Sequence, residues 1–365
     1  MSIIGQGVST GIQFVGIGSR EFYERSDCIE FGVSLGLTFI DTAENYGNGI
    51  SEELIGFAVR NVRETVQIAS KFSPENSSFK SVIKSAENTL RRLKTDYLDL
   101  YQFHWPNYNV DMSETLSALF KLKSEGKIKE IGVSNFSKKQ LQNLIKIAGE
   151  RQIFSNQVEY NIFDRFIEDQ ILPYCIEKKL KIIAYSPLDK GRVLPAGPEF
   201  DSLKIIANKY NITTQQLALC WVINNSNLIA IPSTTSKAHL KENADCMNIT
   251  IEQNDLVTIS NFNCQPQFIL PSIINVSESG ENNKSVYKTL EQAKLNRQNF
   301  CPSPVTLSKE IIQDDIIKPV RLVRSVQSDG QVKYDLIEGR VRYWAWVLAF
   351  GYDRPIPAYI RNSKQ

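Results

Sequence analysis

Short runs of apolar and β-branched residues recur along the first two thirds of the chain, and segments with helical spacing lie between them. Most of these runs are continuous rather than alternating, which is typical of strands that are covered on both faces. The predicted strands are residues 3–8, 37–41, 66–71, 97–104, 128–134, 154–159, 181–186 and 228–233. The pattern indicates parallel strands that alternate with helices.

Two of the intervening segments show the apolar stripe of a helix that packs on a sheet. In residues 77–93 the stripe consists of Val82, Ala86, Leu90 and Leu93. In residues 111–127 it consists of Leu116, Leu119 and Leu122, and Gly126 is expected to end the helix. Eight strands and their helices over about 260 residues have the size and order of a (β/α)8 TIM barrel. We therefore predict an α/β barrel in residues 1–262.

The main alternative is a doubly wound sheet with a glycine-rich dinucleotide fingerprint in its first turn. Gly5 and Gly7 have the spacing of the first two glycines of that fingerprint, but Thr10 stands where the third is expected. The fingerprint also requires an acidic residue roughly 20 residues further on. Asp41 lies beyond that distance, so the sequence favours the barrel.

Length and composition limit the number of domains and the kinds of partner that we expect. The 365 residues exceed the usual size of one hydrophobic core, so we expect two domains. Lys and Arg (42) nearly balance Asp and Glu (40), which indicates neither a nucleic-acid partner nor an anionic membrane surface. Six cysteines without a CxxC pair are typical of reduced thiols in a cytoplasmic protein. We see no signal peptide and no apolar run of roughly 18 residues, and two histidines make a transition-metal site unexpected.

Polar residues stand at the ends of the predicted strands. Buried there without partners, they would cost free energy. The set comprises Asp41, Lys71, His104, Ser134, Asn135, Gln157, Ser186 after Tyr185, and Ser233. In a TIM barrel the carboxyl ends of the strands and the loops after them form the active site. We therefore expect these residues to meet at one mouth.

The residue types at this mouth suggest proton transfer to oxygen. Tyr46 lies in the loop DTAENYGNG, and a free phenol, with a pKa of about 10, is a poor proton donor at neutral pH. A nearby ammonium stabilises phenolate; Lys71 could supply it, and Asp41 could orient the lysine. His104 could hydrogen-bond a substrate oxygen. The set suits protonation of an oxygen as hydride reaches carbon, and it contains no obvious nucleophile and base pair for hydrolysis.

The series FIDTAENYG, IASK, DLYQFHWP, EGKIKEIGVSNF, NQVEYN, AYSPL and IPSTTSKAHLKEN closely resembles the aldo-keto reductase family over residues 3–262. The resemblance implies a catalytic tetrad made of Asp41, Tyr46, Lys71 and His104. It also implies a nicotinamide site, in which the carboxamide contacts Ser134, Asn135 and Gln157 and the ring stacks on Tyr185. Ser186 and Leu188 match positions near the pyrophosphate. Members of the family bind the dinucleotide extended over the barrel mouth, without a Rossmann fold.

The adenosine end departs from the family pattern. Members that prefer NADPH commonly place Lys or Arg beside the 2′-phosphate. The matching residues here are Ser233, Thr234 and His239, with Lys237 and Lys241 nearby, and Glu242 and Asn243 resemble adenine contacts. The family favours NADPH as the cofactor, and the missing arginine leaves NADH open. We expect Ser233, Thr234 and one nearby cation to hold the 2′-phosphate.

Residues 263–365 are too long and too apolar for a tail. Over about 268–361 they resemble the ParB/sulfiredoxin-like fold, a small α+β domain. In that family a Gly-x-x-Arg turn faces phosphates at a helix N-terminus; here Gly339 and Arg342 match it, with Arg340 in place of an acidic residue. No cysteine stands in the turn, so sulfiredoxin chemistry is not expected. A phosphate or nucleotide site and a purely structural domain are both open.

The first functional hypothesis is an NAD(P)H-dependent reductase of an aldehyde, ketone or sugar-like carbonyl, or the reverse oxidation. A regulatory protein that binds NADPH, or a bifunctional enzyme whose second domain binds nucleotide, are the alternatives. We also expect the second domain to cover the barrel mouth and to favour a phosphorylated or nucleotide-linked substrate. A nucleic-acid or membrane partner is not expected.

Overall fold

The computed structural model describes residues 14–19, 26–189, 198–262, 265–276, 287–296, 302–314, 317–326 and 331–361. The chain divides into two compact units, residues 1–262 and residues 263–365. Each unit has its own hydrophobic core. The units are therefore described separately.

A closed parallel barrel forms the first unit. Its strands are β1 (Phe14–Val15 and Ile17–Gly18), β2 (Phe39–Asp41), β3 (Gln67–Phe72), β4 (Leu98–Phe103), β5 (Ile128–Ser134), β6 (Ile153–Glu159), β7 (Lys181–Tyr185) and β8 (Leu228–Ile231). Each strand pairs in parallel with its neighbours in the chain. The first half of β1 pairs with β8 and the second half with β2, so the sheet closes on itself. This confirms the predicted (β/α)8 barrel.

The first strand of the barrel lies in a different segment from the one that the sequence predicts. The predicted strand at residues 3–8 lies outside the described residues, and the segment that closes the barrel is β1, at residues 14–18. This segment is short and is interrupted at Gly16, so its apolar pattern is weak. Barrel closure is a tertiary condition that a local pattern does not contain.

Helices follow the strands and pack against their outer faces. They are α1 (Ser26–Ser34), α2 (Ile50–Val59), α3 (Phe79–Leu93), α4 (Met112–Ser124), α5 (Lys138–Ala148), α6 (Ile171–Glu177), α7 (Pro198–Lys209), α8 (Thr214–Ile223), α9 (Lys237–Asp245) and α10 (Gln253–Ser260). The predicted stripes of α3 and α4 are buried, and Gly126 lies just beyond α4 with a φ of 73°. Both stripe predictions are confirmed.

Side chains fill the barrel, so the mouth is a surface above a packed interior. Phe39, Ala69, Leu100, Ile183, Ile229 and Ile231 form an apolar cluster of their own, separate from the larger core that the strands share with the helices. Cys220 and Trp221 of α8 belong to the larger core. The polar side chains are therefore concentrated where the strands end.

In its described residues, the second unit contains a five-stranded mixed sheet and three α-helices. Its strands are β9 (Gln267–Ile269), β10 (Ile274–Asn275), β11 (Val320–Val326), β12 (Val332–Glu338) and β13 (Ile356–Arg361), in the spatial order β9-β13-β11-β12-β10. The helices are α11 (Leu290–Leu295), α12 (Pro304–Asp314) and α13 (Arg340–Phe350). Trp344, Trp346 and Tyr343 of α13 lie in the core of this unit. Its resemblance to the ParB/sulfiredoxin-like fold stays a prediction.

Two further observations concern the class of protein. Among the described helices, none is long and apolar enough to cross a membrane.

Cys28, Cys175, Cys220 and Cys246 are buried thiols. Burial raises the pKa of the Cys175 thiol to about 12. A thiol in that state is not a nucleophile at neutral pH.

Candidate active site

Neighbouring strands bring the predicted catalytic residues to one end of the barrel. Asp41 is the last residue of β2, Lys71 is the penultimate residue of β3, and His104 directly follows β4. The carboxyl ends of parallel strands lie at the same end of a barrel. The fourth residue, Tyr46, lies in the loop that joins β2 to α2.

Lys71 and Asp41 form a buried ion pair. The ammonium Nζ lies 2.7 Å from Asp41 Oδ2 and donates a second hydrogen bond of 2.7 Å to the Thr42 carbonyl oxygen. Burial by itself lowers the pKa of Lys71, but the Asp41 carboxylate and the Tyr46 phenol outweigh it, so the pKa lies above its ordinary value. Lys71 is therefore charged at neutral pH, in a site without exposure to water.

Tyr46 stands beside this ion pair at the edge of the mouth. It begins a 3-10 turn, Tyr46–Gly49, in which Gly47 and Asn48 have positive φ angles of 58° and 53°. The ring centroid lies 5.1 Å from Lys71 Nζ, and the ring meets that of His104 edge to face at 5.8 Å. The structure thus brings all four residues of the predicted tetrad together.

The second carboxylate oxygen of Asp41 extends the site to β6. Asp41 Oδ1 accepts a hydrogen bond of 2.7 Å from Gln157 Nε2. The Gln157 carbonyl oxygen in turn accepts bonds from Ser134 Oγ (3.0 Å) and from the Asn135 backbone N–H (2.9 Å). Three predicted nicotinamide contacts are therefore tied to the predicted catalytic carboxylate.

Asn135 connects His104 and Tyr185 at the mouth. Its φ of 64° is unusual for a residue other than glycine. Asn135 Nδ2 donates to the His104 carbonyl oxygen (3.1 Å) and to Ser134 Oγ (2.9 Å), and Oδ1 accepts from the Tyr185 hydroxyl (3.0 Å). Lys71, Asp41, Gln157, Asn135 and Tyr185 therefore form one hydrogen-bonded series across the mouth.

Comparison with known proteins agrees with this geometry. Residues 18–263 match the aldo/keto reductase family. The chain is 36% identical over 253 residues to the methylglyoxal reductase YeaE of Escherichia coli, covering 69% of this chain and 89% of that protein. An NADH-specific methylglyoxal reductase of the same organism is 30% identical over 268 residues, covering 60% and 81%. A crystal structure of an aldo-keto reductase from Klebsiella pneumoniae in complex with NADPH superposes with a TM-score of 0.65, at 35% identity over 69% of this chain and 92% of that one.

The chain belongs to the aldo/keto reductase family. As an aldo-keto reductase it is an oxidoreductase that uses NAD(P)H and acts on carbonyl groups. The comparisons give no support to a purely regulatory protein or to a bifunctional enzyme.

The residues at the mouth of this aldo-keto reductase fit a nicotinamide. The carboxamide offers one acceptor and an amino donor, and Ser134, Asn135 and Gln157 carry both kinds of group. Tyr185 is half-buried, and its hydrogen bond to Asn135 fixes the ring. A fixed, partly exposed aromatic ring suits stacking against a planar heterocycle.

Beyond the nicotinamide residues, two predicted pyrophosphate contacts follow β7. Ser186 has a φ of 48°, and its carbonyl oxygen accepts hydrogen bonds from Asn161 Nδ2 (3.1 Å) and from the Asp189 backbone N–H (2.9 Å). Leu188 is half-buried against the barrel core. Both residues therefore lie in a tight turn at the carboxyl end of the barrel.

The predicted adenosine contacts lie between β8 and α9. Ser233 and His239 are exposed, and Thr234 Oγ1 lies 3.4 Å from His239 Nδ1. The Ser236 side chain caps α9 by accepting from the His239 backbone N–H. Further along α9, Glu242 is half-buried and Asn243 is buried.

Both lysines near this end form exposed ion pairs. Lys237 lies 3.0 Å from Asp27, and Lys241 lies 2.9 Å from Asp245. Exposed pairs contribute little free energy, so either lysine can turn to a phosphate at small cost. The structure thus offers two cations near the predicted 2′-phosphate position.

Sequence reasoning missed two contributions to the site. Thr42 acts through its backbone carbonyl, which accepts from Lys71, and residue type carries no signal for such a contact. Trp105 directly follows His104 and is 42% exposed, so it offers an apolar surface beside the site. Its place in the motif DLYQFHWP could have indicated this.

In the second unit the predicted phosphate residues gather at the start of α13. Gly339 is the N-cap of this helix, with a φ of 99° and no side-chain capping bond. Arg342 Nη1 donates to the backbone carbonyl oxygens of Lys318 (3.0 Å) and Pro319 (2.7 Å). Arg340 is largely buried. The arginine of the turn thus holds the segment before β11 in this structure.

Proposed function

We propose that the barrel reduces small reactive aldehydes of the 2-oxoaldehyde class, with Tyr46 as the proton donor. The substrate class is supported by methylglyoxal reductases among the relatives. The role of Tyr46 is supported by one observation above all. The charged Lys71, held by Asp41 and Thr42 without exposure to water, lies 5.1 Å from the Tyr46 ring.

The roles of the residues follow from their positions. Ser134, Asn135, Gln157 and Tyr185 would hold the nicotinamide, which would supply the hydride to the carbonyl carbon, so that the electron pair of the C=O π bond would move to oxygen. Tyr46 gives its phenolic proton to that oxygen. Lys71 stabilises the phenolate that is left, since an adjacent positive charge favours the ionised phenol. Solvent at the mouth then returns a proton to Tyr46.

Two further residues prepare this transfer. Asp41 keeps Lys71 charged and in place through the 2.7 Å ion pair. His104 lies edge to face with Tyr46, which supports a role as hydrogen-bond donor to the carbonyl oxygen. Preorganised donors of this kind stabilise developing negative charge without reorganisation during the reaction. We also propose Trp105, which directly follows His104 and is exposed, as an apolar contact for a small substrate.

Replacement of Tyr46 by Phe tests the proposal. The expected result is a fall in kcat with methylglyoxal of at least about 100-fold, because general acid catalysis typically contributes 10²–10⁴-fold. NADPH binding, followed by protein fluorescence, should change little, since the aromatic ring is retained. A Tyr46→Phe enzyme with more than about half of the wild-type kcat would disprove the role of Tyr46.

We further propose that Ser233, Thr234 and one of the two nearby lysines hold the 2′-phosphate of NADPH. The exposed ion pairs of Lys237 and Lys241 support this proposal. Lys237→Met and Lys241→Met are compared. The variant that lacks the phosphate-binding lysine should bind NADPH roughly tenfold more weakly and NADH as tightly as the wild type, because only NADPH carries the phosphate. Equal affinity of the wild type for NADH and NADPH in a fluorescence titration would contradict it.

For the second unit we propose a ParB/sulfiredoxin-like domain with a phosphate or nucleotide site at the Gly339 turn. The uncapped start of α13 supports this, because the first backbone N–H groups of a helix bind anions. Calorimetric titration of ATP or CTP into the NADPH-saturated full chain tests it, with Arg342→Gln as the variant. Absence of heat in the wild type would leave a structural domain as the better description.

A further inference from the structure

Glu52, a buried carboxylate with no assigned part in the proton transfer, lies behind the Tyr46 turn. Helix α2 begins directly after this turn, and Glu52 is in the first turn of the helix. Its side chain has no exposed surface. A carboxylate taken out of water at the edge of an active site requires an explanation.

Glu52 connects α2 to the strand that carries Lys71. Its Oε1 accepts a hydrogen bond of 2.6 Å from the Ser70 hydroxyl, and Ser70 directly precedes Lys71 in β3. Successive side chains of a strand point to opposite faces. Lys71 therefore points to the mouth while Ser70 is held by Glu52 on the outer face.

The other oxygen of Glu52 fixes the residue on which the Tyr46 turn rests. Glu52 Oε2 accepts from Arg92 Nε at 2.5 Å. Gly49, the last residue of the turn, has a φ of 94°. A Cβ atom at Gly49 would lie 2.5 Å from Arg92 Cδ and 2.8 Å from its Nε. The turn thus lies directly against the side chain that Glu52 holds.

The neighbouring residue, Ser51, makes a parallel connection to β2. Ser51 Oγ lies 2.9 Å from Thr42 Oγ1, and it donates to Ser19 Oγ at 2.8 Å. Thr42 is the residue whose carbonyl oxygen accepts from Lys71. The first turn of α2 is therefore tied both to β3 and to the segment that follows Asp41.

Stability alone explains this arrangement poorly. Burial raises the pKa of Glu52, although Ser70 and Arg92 lower it in part. The carboxylate is thus kept in a place where its charge is disfavoured. A buried ion pair is often no more stable than apolar side chains of similar volume. A role in positioning accounts for what stability does not.

We propose that Glu52 is a positioning residue for the reduction. Through Ser70 and Arg92 it holds the Lys71 strand and the Tyr46 turn at the separation that proton transfer requires. The inference rests on the proposed roles of Tyr46 and Lys71. A displacement of about 1 Å at a reacting group can cost on the order of 100-fold in rate, so the effect is measurable.

Three variants of the full chain test this proposal. Glu52→Gln removes the charge and keeps the size, and Ser70→Ala removes one hydroxyl and leaves the ion pair intact. Asp99→Asn is the matched control, since Asp99 is also buried and paired with arginine, but at the opposite end of the barrel. For each variant we would measure kcat, the Kd of NADPH, the pH profile of kcat/KM, and Tm.

The expected result separates position from stability. Glu52→Gln should lower kcat roughly 10- to 100-fold, and Ser70→Ala about threefold, with NADPH affinity nearly unchanged. Both should shift the basic limb of the pH profile, because Lys71 moves relative to Tyr46. Asp99→Asn should keep kcat and the profile while Tm falls.

Two outcomes would overturn the inference. The first is that Ser70→Ala has the kcat and the pH profile of the wild type. This result is sufficient by itself if Glu52→Gln does not fold. The other is a loss in Glu52→Gln no larger than in Asp99→Asn at equal folded fraction. Tyr46→Phe, measured in parallel, separates the two proposals. If Tyr46→Phe stays active, the role of Tyr46 has failed; if only the positioning variants behave like the control, the inference alone has failed.

Discussion

The two ends of the barrel carry similar groups of residues in different surroundings. At the mouth, Lys71 and Asp41 form a buried ion pair beside Tyr46. At the opposite end, Asp99 pairs with Arg63 and Lys129, each at 2.9 Å, and the cations lie 4.0 and 3.9 Å from the centre of the Tyr97 ring. Each end thus combines a carboxylate, a cation and a tyrosine.

What differs is the position of the tyrosine and the partners of the carboxylate. Burial raises the pKa of Tyr97, and its hydroxyl donates to Glu64 at 3.1 Å, while the cations cover its ring. The Asp99 oxygens are occupied by the two cations and by the backbone N–H of Ile68. A cation beside a tyrosine is therefore not sufficient for a proton donor. The partner of the hydroxyl and the access to substrate decide its role.

The largest expected effect comes from removing the lysine at each end. Lys71→Met should lower kcat by roughly 1000-fold, because the phenolate loses its stabilising charge. Lys129→Met should leave kcat within about twofold of wild type, since Lys129 lies at the other end of the barrel. Stopped-flow measurement of NADPH oxidation checks both. Equal losses of activity in the two variants would remove the distinction between the ends.

At the end of the barrel that carries Asp99, we expect a substitution to lower stability and to leave activity unchanged. Asp99→Asn should lower the free energy of unfolding by about 3 kcal/mol, since breaking a buried ion pair leaves a cation without its partner. Its kcat should be that of wild type at temperatures where the variant is folded. Urea denaturation measures the first quantity. A change below about 0.5 kcal/mol would show that the group at this end is not structural.

The pH dependence of stability should differ between Glu52→Gln and the wild type. Burial raises the pKa of Glu52 above its ordinary value of 4.5, so the folded protein holds this proton more tightly than the unfolded chain. The wild type therefore loses stability from this group as pH rises from about 4.5 through the folded pKa. Since Gln does not titrate, the stability of Glu52→Gln relative to wild type should improve over that range. A difference that is constant with pH would contradict a raised pKa.

The smallest effect is expected for Tyr97→Phe. The ring is kept between its cations, and one partly exposed hydrogen bond to Glu64 is lost. The free energy of unfolding should fall by at most about 1 kcal/mol, and kcat should not change. Denaturation and steady-state assays measure the two. A clear loss of kcat would show that the two ends are coupled.

Local patterns were sufficient for most of the barrel. The continuous apolar runs predicted seven of its strands close to their observed bounds, because a strand covered on both faces needs apolar residues throughout. They missed the strand at residues 14–18, since a short strand broken at Gly16 lacks such a run. The strand-end residues Asp41, Lys71 and His104 were identified because parallel strands present their ends together. The contacts of Glu52 could not be predicted in this way, since its partners Ser70 and Arg92 are 18 and 40 residues away.

The sequence by itself determined the fold class, the family and the residues expected at the barrel mouth. These properties depend on residue type and on spacing along the chain, and both are present before folding. Only the tertiary structure decided the distances of Lys71 from Asp41 and Tyr46, the network that connects Asp41 to Tyr185, and the burial of Glu52 behind the Tyr46 turn. These depend on closure of the barrel, which brings residues from distant strands into contact and excludes water from the space between them.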